Sequence, residues 1–336
     1  MNKFKISICI PTFNRSKLLE KAIKSVLSQL DQKTEVIILD DASKDDTQSV
    51  VSKYTCNNKC IKYYRNKINM GIFGNFNKCL ELAKGEWIKF LNDDDALSSG
   101  AVDLLLRVVR YKDIINNNVG LIVGTSKKGR TNFPVNKVLY GEDVLNFLLI
   151  YSNQIGCPSN VVIKKSVVDK HNLKFNENKS WAEDYIFFIN VLKHSNMFVV
   201  DHPLAYVYEH EESATSRLMK NNVEIAIEED IEAVKYLGSI LDIESNNINF
   251  FLDYHKKRIA RYYSVVFNKV KSFAILKDLR LKKTNSYAFI TNFLFLTLAG
   301  KILRKVQLLG YSLMDRNVLH YGYLPMYLYW KKRGYE

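Results

Sequence analysis

Four short apolar runs, each followed by polar residues, alternate with helical patterns through the first hundred residues, and this constrains the fold more than any other feature. Lys5 to Ile10 (KISICI), Glu35 to Leu39 (EVIIL), Lys62 to Tyr64 and Glu86 to Leu91 (EWIKFL) read as strands. Between them, Lys17 to Gln29 places Leu18, Leu19, Ala22, Ile23, Val26 and Leu27 on one helical face. Asp46 to Tyr54 forms a short helix, with Ser43 and Asp46 as a capping box, and Asn75 to Ala83 forms another. Alternation at this spacing predicts an α/β chain with a mostly parallel sheet covered by helices. Ligands of such sheets bind beyond the carboxyl ends of the strands. The segments PTFNR, DDASKDD, RNKINMG and NDDD are therefore predicted to rim one cleft.

The fourth segment carries a chemical problem. Asp93, Asp94 and Asp95 stand side by side behind an apolar strand, and burying even one unpaired charge costs several kcal/mol. A countercharge is required. Hard oxygen ligands suit Mg²⁺ or Mn²⁺, held by one or two carboxylates plus substrate phosphates. A solvated strand-to-helix turn is the plainer alternative, since such loops favour Asp.

Further along, helices are predicted over Val102 to Arg110 and Gly141 to Tyr151, strands at Val119 to Val123 and Asn160 to Ile163, and a basic loop at KKGR. The run SWAEDYIFFINVLKH begins with Ser180 and Glu183 as a capping box and continues as an apolar helix. Two domains are expected, 1–218 and a helical 219–336.

Taken in order, these motifs resemble the family 2 glycosyltransferases of the GT-A fold over roughly residues 5 to 217. ISICIPTFNRSKLLEKAIKSVLSQ is similar to the family's opening strand, loop and helix, and VIILDDASKDDT to its second strand and acidic turn. NMGIFGNFNKCLELAKGEWIKFLNDDD resembles the run that ends in its DxD-type metal motif, with Asn92 where the family commonly has Asp, and WAEDYIFF resembles its later Glu-Asp pair.

The resemblance implies roles. Pro11, Thr12, Phe13 and Arg15 would wall the nucleotide, with Pro11 ending the first strand. Asp40 would accept the imide N–H of a uracil or thymine base, and Arg65 would face the base or a phosphate. Asp94 would be the principal ligand of Mg²⁺ or Mn²⁺, Asp93 would touch the ribose or a metal-bound water, Asp95 would be a further ligand, and His210 would lie over the diphosphate beside the metal. Asp184 would be the base of an inverting transfer. Glu183 fits a capping partner, with an acceptor or phosphate contact as the lesser reading, and Ser213 and Arg217 would clamp phosphate from the loop around His210.

Composition bears on the partners. The net charge of +14 lies entirely in residues 255 to 336, where 17 Lys/Arg face three acids. Basic and aromatic residues interleave there, in HKKRIARYYSVVF, ILRKVQLLGY and LPMYLYWKKRGYE, as they do in helices lying on anionic membrane surfaces. A helical bundle or a subunit interface in a homo-oligomer is the alternative. YAFITNFLFLTLAG, at 287 to 300, falls short of the roughly 20 residues a membrane span needs. Five cysteines without a paired framework and an N-terminus without a leader predict a cytoplasmic protein, peripheral at the inner face of the membrane.

The expected activity is therefore metal-dependent transfer from a nucleoside-diphosphate sugar, uridine or thymidine type, to a saccharide or lipid-linked saccharide of a bacterial surface polysaccharide. A sugar-phosphate nucleotidyltransferase shares the βα start, but its Gly-rich loop is replaced here by PTFNRS. A non-enzymatic protein binding polyanions through the basic tail is the remaining alternative, with lipid favoured over nucleic acid by the long aliphatic run.

Overall fold

The computed structural model describes residues 4–56, 58–126, 131–208, 210–211, 213–243, 252, 331 and 333–335. The readings of KKGR and of nearly all of the basic tail lie outside the described residues. The chain divides into two compact units, Met1–Arg217 and Leu218–Glu336.

The first unit opens with β1 (Ile6–Thr12), α1 (Ser16–Leu27), β2 (Thr34–Asp40), α2 (Thr47–Thr55), β3 (Ile61–Arg65), α3 (Gly71–Leu82) and β4 (Trp87–Phe90). It continues with β5 (Ala96–Leu97), α4 (Ala101–Val108), α5 (Lys112–Asn116), β6 (Val119–Gly124), β7 (Val138–Leu139), α6 (Gly141–Tyr151), β8 (Val161–Lys164), α7 (Lys165–His171), α8 (Glu183–Lys193), β9 (Asn196–Val200) and β10 (Ala205–Tyr206). Helix α9 (Ala214–Asn221) follows, then α10 (Val223–Ile240), which buries Ala226, Ile227, Ala233, Val234 and Leu237. Among the described residues no helix is long and apolar enough to cross a membrane.

Eight strands form the main sheet in the order β3-β2-β1-β4-β8-β6-β9-β7. The pairings β3 to β2, β2 to β1 and β1 to β4 are all parallel. Strand β8 then runs antiparallel to both β4 and β6, β6 pairs parallel with β9, and β7 closes the edge antiparallel. The sheet is thus a parallel half joined to a mixed half. Every residue of β1 and β2 is buried, which is why these strands read as continuous apolar runs rather than as alternation. Ile6, Ile8 and Ile10 pack with Leu19, Ile23 and Val26 of α1 and Leu105 of α4. On the opposite face the Cys9 thiol lies 3.9 Å from the Cys79 carbonyl oxygen of α3.

Two local expectations are corrected. Pro11 does not end β1, which runs on to Thr12 in register with Asp40. The β1–β4 ladder stops at Cys9, so the missing N–H of Pro11, on the β4 side, interrupts no bond. Helix α2 begins after Asp46 rather than after Ser43, and no side chain caps it. The Ser43 hydroxyl instead accepts from the Asn14 N–H (2.9 Å), while Asp45 accepts from the Ser16 N–H (2.9 Å) and from Thr47. These bonds, with Lys44 N–H donating to the Asn14 side chain (2.7 Å), join the loops after β1 and β2.

An aromatic cluster seats the mixed half against the end of β4. Phe175 stacks on Phe187 of α8 with centroids 4.0 Å apart and meets Phe76 and Phe90 edge-on at 5.3 Å and 6.0 Å. Truncating a buried Phe costs about 3–5 kcal/mol. Phe175→Ala is therefore expected to lower unfolding free energy by about that amount in urea denaturation. A loss under about 1 kcal/mol would mean the cluster does not hold α8.

Candidate active site

The carboxyl ends of β1, β2 and β4 converge as the alternation predicts. Thr12, the last residue of β1, donates its hydroxyl to Asp93 Oδ2 at 2.7 Å. Arg15, just before α1, reaches Asp93 Oδ1 at 3.1 Å and Asp94 Oδ2 at 2.9 Å. His210 Nε2 lies 3.1 Å from the same Asp94 oxygen. Asp95 Oδ1 accepts from the Tyr208 N–H at 3.1 Å. The segment that carries Tyr208 and His210 arrives through β10, which pairs antiparallel with β5 directly behind the carboxylates.

Burial sets the electrostatics. Asp93 is pushed up to about 6, chiefly by loss of water, with Arg15 and Thr12 pulling the other way and Asp94 adding to the rise. Asp95 is raised as well, again chiefly by burial. Burial also opposes the charge on Arg15, but Asp93 and then Asp94 more than offset it, and the guanidinium is held more firmly protonated than usual. Both oxygens of Asp93 are engaged, whereas Asp94, its side chain 12% exposed, uses Oδ2 for Arg15 and His210 and has no hydrogen bond at Oδ1 among the described residues.

No group of three His, Cys, Asp or Glu side chains among the described residues converges as a closed metal cage. Mg²⁺ and Mn²⁺ do not require one. They take one or two protein carboxylates and complete their shell with phosphate and water oxygens. An Asp94 oxygen without a hydrogen-bond partner among the described residues, in a cluster of three acids, fits that chemistry.

At the end of β2, Asp40 is fully buried, accepting from the Ser43 N–H (2.8 Å) and the Tyr63 hydroxyl (2.6 Å), with Arg65 Nε 3.6 Å away. Desolvation first, and then Asp40, push the Tyr63 phenol upward. Phe13 is 42% exposed at the rim and does not pack in the core. Asp184 occupies the first turn of α8, where it accepts from the Tyr185 N–H at 2.7 Å. The Cys157 thiol is pushed up to about 12 by burial and then by the charge of Asp95, with Lys89 opposing and Asp184 adding to the rise.

Helix α8 starts after Ala182, which makes no side-chain cap. The Glu183 carboxylate is buried and accepts from the Asn176 N–H at 2.7 Å. Ser213 accepts from the Ser216 N–H at the start of α9, and Arg217 is exposed.

Sequence reading missed four contributors. Asp41 accepts from the N–H groups of Met70 and Gly71 and from the Asn66 amide, folding the loop after β3 onto the rim. Ser159 accepts from the Asn92 N–H at 2.9 Å, at the head of the carboxylate loop. Tyr208 holds Asp95 through its backbone. Lys89, in the middle of β4, is fully buried and donates to the carbonyl oxygens of Phe90 (2.8 Å) and Ser159. A Lys within an otherwise apolar strand was the available signal for the last.

An α/β sheet with nucleotide-type loops and carboxylates at one end of its parallel half defines a GT-A class of enzyme. The family profile described as Glycosyl transferase family 2 matches residues 7–171. The chain is 31% identical over 269 residues, 78% of its own length and 81% of the relative's, to a GalNAc(5)-diNAcBac-PP-undecaprenol beta-1,3-glucosyltransferase of Campylobacter jejuni. It shares its fold with Staphylococcus aureus TarS 1-349 in complex with UDP-GlcNAc (TM-score 0.57, 19% identity, 87% of this chain and 81% of that one). A mannosyltransferase of Pyrobaculum calidifontis in complex with GDP-Man and Mn²⁺ is also similar (TM-score 0.53, 15% identity, 89% and 86% covered). The chain belongs to the family 2 glycosyltransferases and is a glycosyltransferase.

The Asp93 environment yields a pH prediction. A carboxyl whose folded value lies near 6, above its unfolded value, binds its proton more tightly when folded. Its contribution to stability is therefore fullest below the unfolded value and declines as pH rises through about 6. Denaturation of the metal-free protein from pH 4 to pH 7 should show wild type losing stability relative to Asp93→Asn across that window. Parallel curves would refute the assignment.

Proposed function

We propose that the protein transfers a sugar, with inversion, from a uridine- or thymidine-type nucleoside-diphosphate sugar to a saccharide carried on a lipid, in assembly of a bacterial surface polysaccharide. The carrying observation is the Asp94 oxygen left available while Arg15 and His210 hold its partner, at the carboxyl end of β4. The acceptor class is supported by the name of the Campylobacter relative, which acts on an undecaprenol-linked saccharide.

In this reading the joined loops after β1 and β2 receive the nucleotide, with Phe13 and Arg65 at the rim and Asp40 buttressing the base site from below. Asp94 would hold Mg²⁺ or Mn²⁺, with His210 beside it and Asp95 behind, while Asp93 fixes Arg15 and Thr12 in place. Such an ion, when bound, would supply charge neutralisation for the departing diphosphate. Asp184 takes the proton of the acceptor hydroxyl as the acceptor oxygen bonds the anomeric carbon and the bond from that carbon to the phosphate oxygen breaks on the opposite face. Position supplies much of the rate. Association with an anionic membrane from its cytoplasmic side, through the basic residues beyond 255, would bring the site to a lipid-linked acceptor.

A donor screen with Mg²⁺ or Mn²⁺, read as thermal stabilisation and slow sugar hydrolysis, tests the reading. Asp94→Ala should abolish metal-dependent donor binding. Asp184→Ala should keep donor binding and lose about 10²–10⁴-fold in turnover; retained turnover would remove Asp184 as the base. Donor binding that survives a chelator unchanged would remove the metal.

A further inference from the structure

We propose that Lys89 is a positioning residue for the carboxylate loop, acting from inside the sheet through Ser159. The inference rests on the metal-dependent reading above and adds a residue which that reading does not use.

Lys89 sits at a position where its strand neighbours Trp87, Ile88 and Phe90 are all buried. An ammonium there loses its water, and the cost shows in its proton affinity, lowered to about 7 chiefly by burial. An apolar side chain of similar length would avoid that cost. What Lys89 gains is a junction. Its Nζ donates to Phe90 O, on the strand that leads into the carboxylates, and to Ser159 O, in the turn that precedes β8. Ser159 faces the other way with its hydroxyl, which accepts from the Asn92 N–H at the head of the carboxylate loop.

One residue of the turn thus receives the buried cation on its carbonyl and the carboxylate loop on its hydroxyl. Neighbouring Asn160 anchors the same turn through Gly124 O (2.6 Å), Thr125 O (3.0 Å) and the Leu204 N–H (2.9 Å). Arg15 thus holds Asp93 and Asp94 from outside, while Lys89 reaches the head of the same loop from inside through Ser159. Groups that orient metal ligands from behind typically contribute 10- to 100-fold to metal affinity.

The test measures Mn²⁺ affinity in the presence of UDP, by electron paramagnetic resonance of the free ion, and the affinity for uridine without metal. Lys89→Met and Ser159→Ala should each weaken Mn²⁺ binding about tenfold or more and leave uridine binding within about threefold. A general loosening of the fold would move both. The double variant should lose no more than the worse single one, because both act on one chain of contacts.

Wild-type Mn²⁺ affinity in Ser159→Ala overturns the proposal, and so do losses that multiply in the double variant. Should Lys89→Met fail to fold, Ser159→Ala decides alone, since it keeps the Lys89 bonds to both carbonyls. No Mn²⁺ binding by the wild type overturns the metal reading and this one together. Wild-type binding that both variants retain overturns only the role of Lys89.

Discussion

The hydrogen bond from Thr12 to Asp93 joins residues 81 positions apart and closes the end of β1 onto the end of β4. Around it the protein solves the electrostatic problem of three consecutive acids. Arg15 is placed across two of them by the start of α1, Tyr208 donates to the third, Ser159 accepts from the Asn92 N–H just ahead of them, and His210 adds a ring nitrogen to the middle one. These partners come from three different stretches of chain. The cluster is therefore a product of the whole first unit, and no local segment could hold it.

The opposite end of the same strands offers a useful contrast. Glu35 is fully buried, yet its carboxylate accepts from Ser7 (2.7 Å), Lys62 (2.8 Å) and the Lys84 N–H (2.7 Å), so its charge is met entirely from within the chain. That arrangement is structural. At the site end, by contrast, Asp94 Oδ1 has no hydrogen bond among the described residues. Nearby, a hollow of about 930 Å³ lined by Phe4, Lys62, Lys84 and Lys164 lies at the Glu35 end, away from the acids. The strand-end rule, rather than concavity, locates the chemistry.

Much of this architecture was legible because β1, α1, β2, α2, β3, α3 and β4 each carry their own periodicity, and the parallel half follows from their alternation. The reversal at β8 was not, since a four-residue apolar strand such as Val161–Lys164 reads identically in either direction. The two-residue strands β5, β7 and β10 carry no period at all. The capping box at Ser43 failed because a Ser three residues before an acid is a local pattern, and Asn14 of another loop claimed the Ser43 hydroxyl. Within the site, the acids, Thr12 and Arg15 were readable from type and place. Ser159, Tyr208 and Asp41 were not, because their contributions depend on contacts across the fold.

Asn14, held at φ 54° with its amide and side chain both bonded to the second loop, makes the loops after β1 and β2 a single stiff ledge. The other wall depends on β5 and β10, a ribbon of only two residue pairs. Under the function proposed above, descendants of such a chain would be free to remodel the ribbon side, and so exchange one acceptor for another, while the ledge would keep the same activated donor; diversification would then be one-sided.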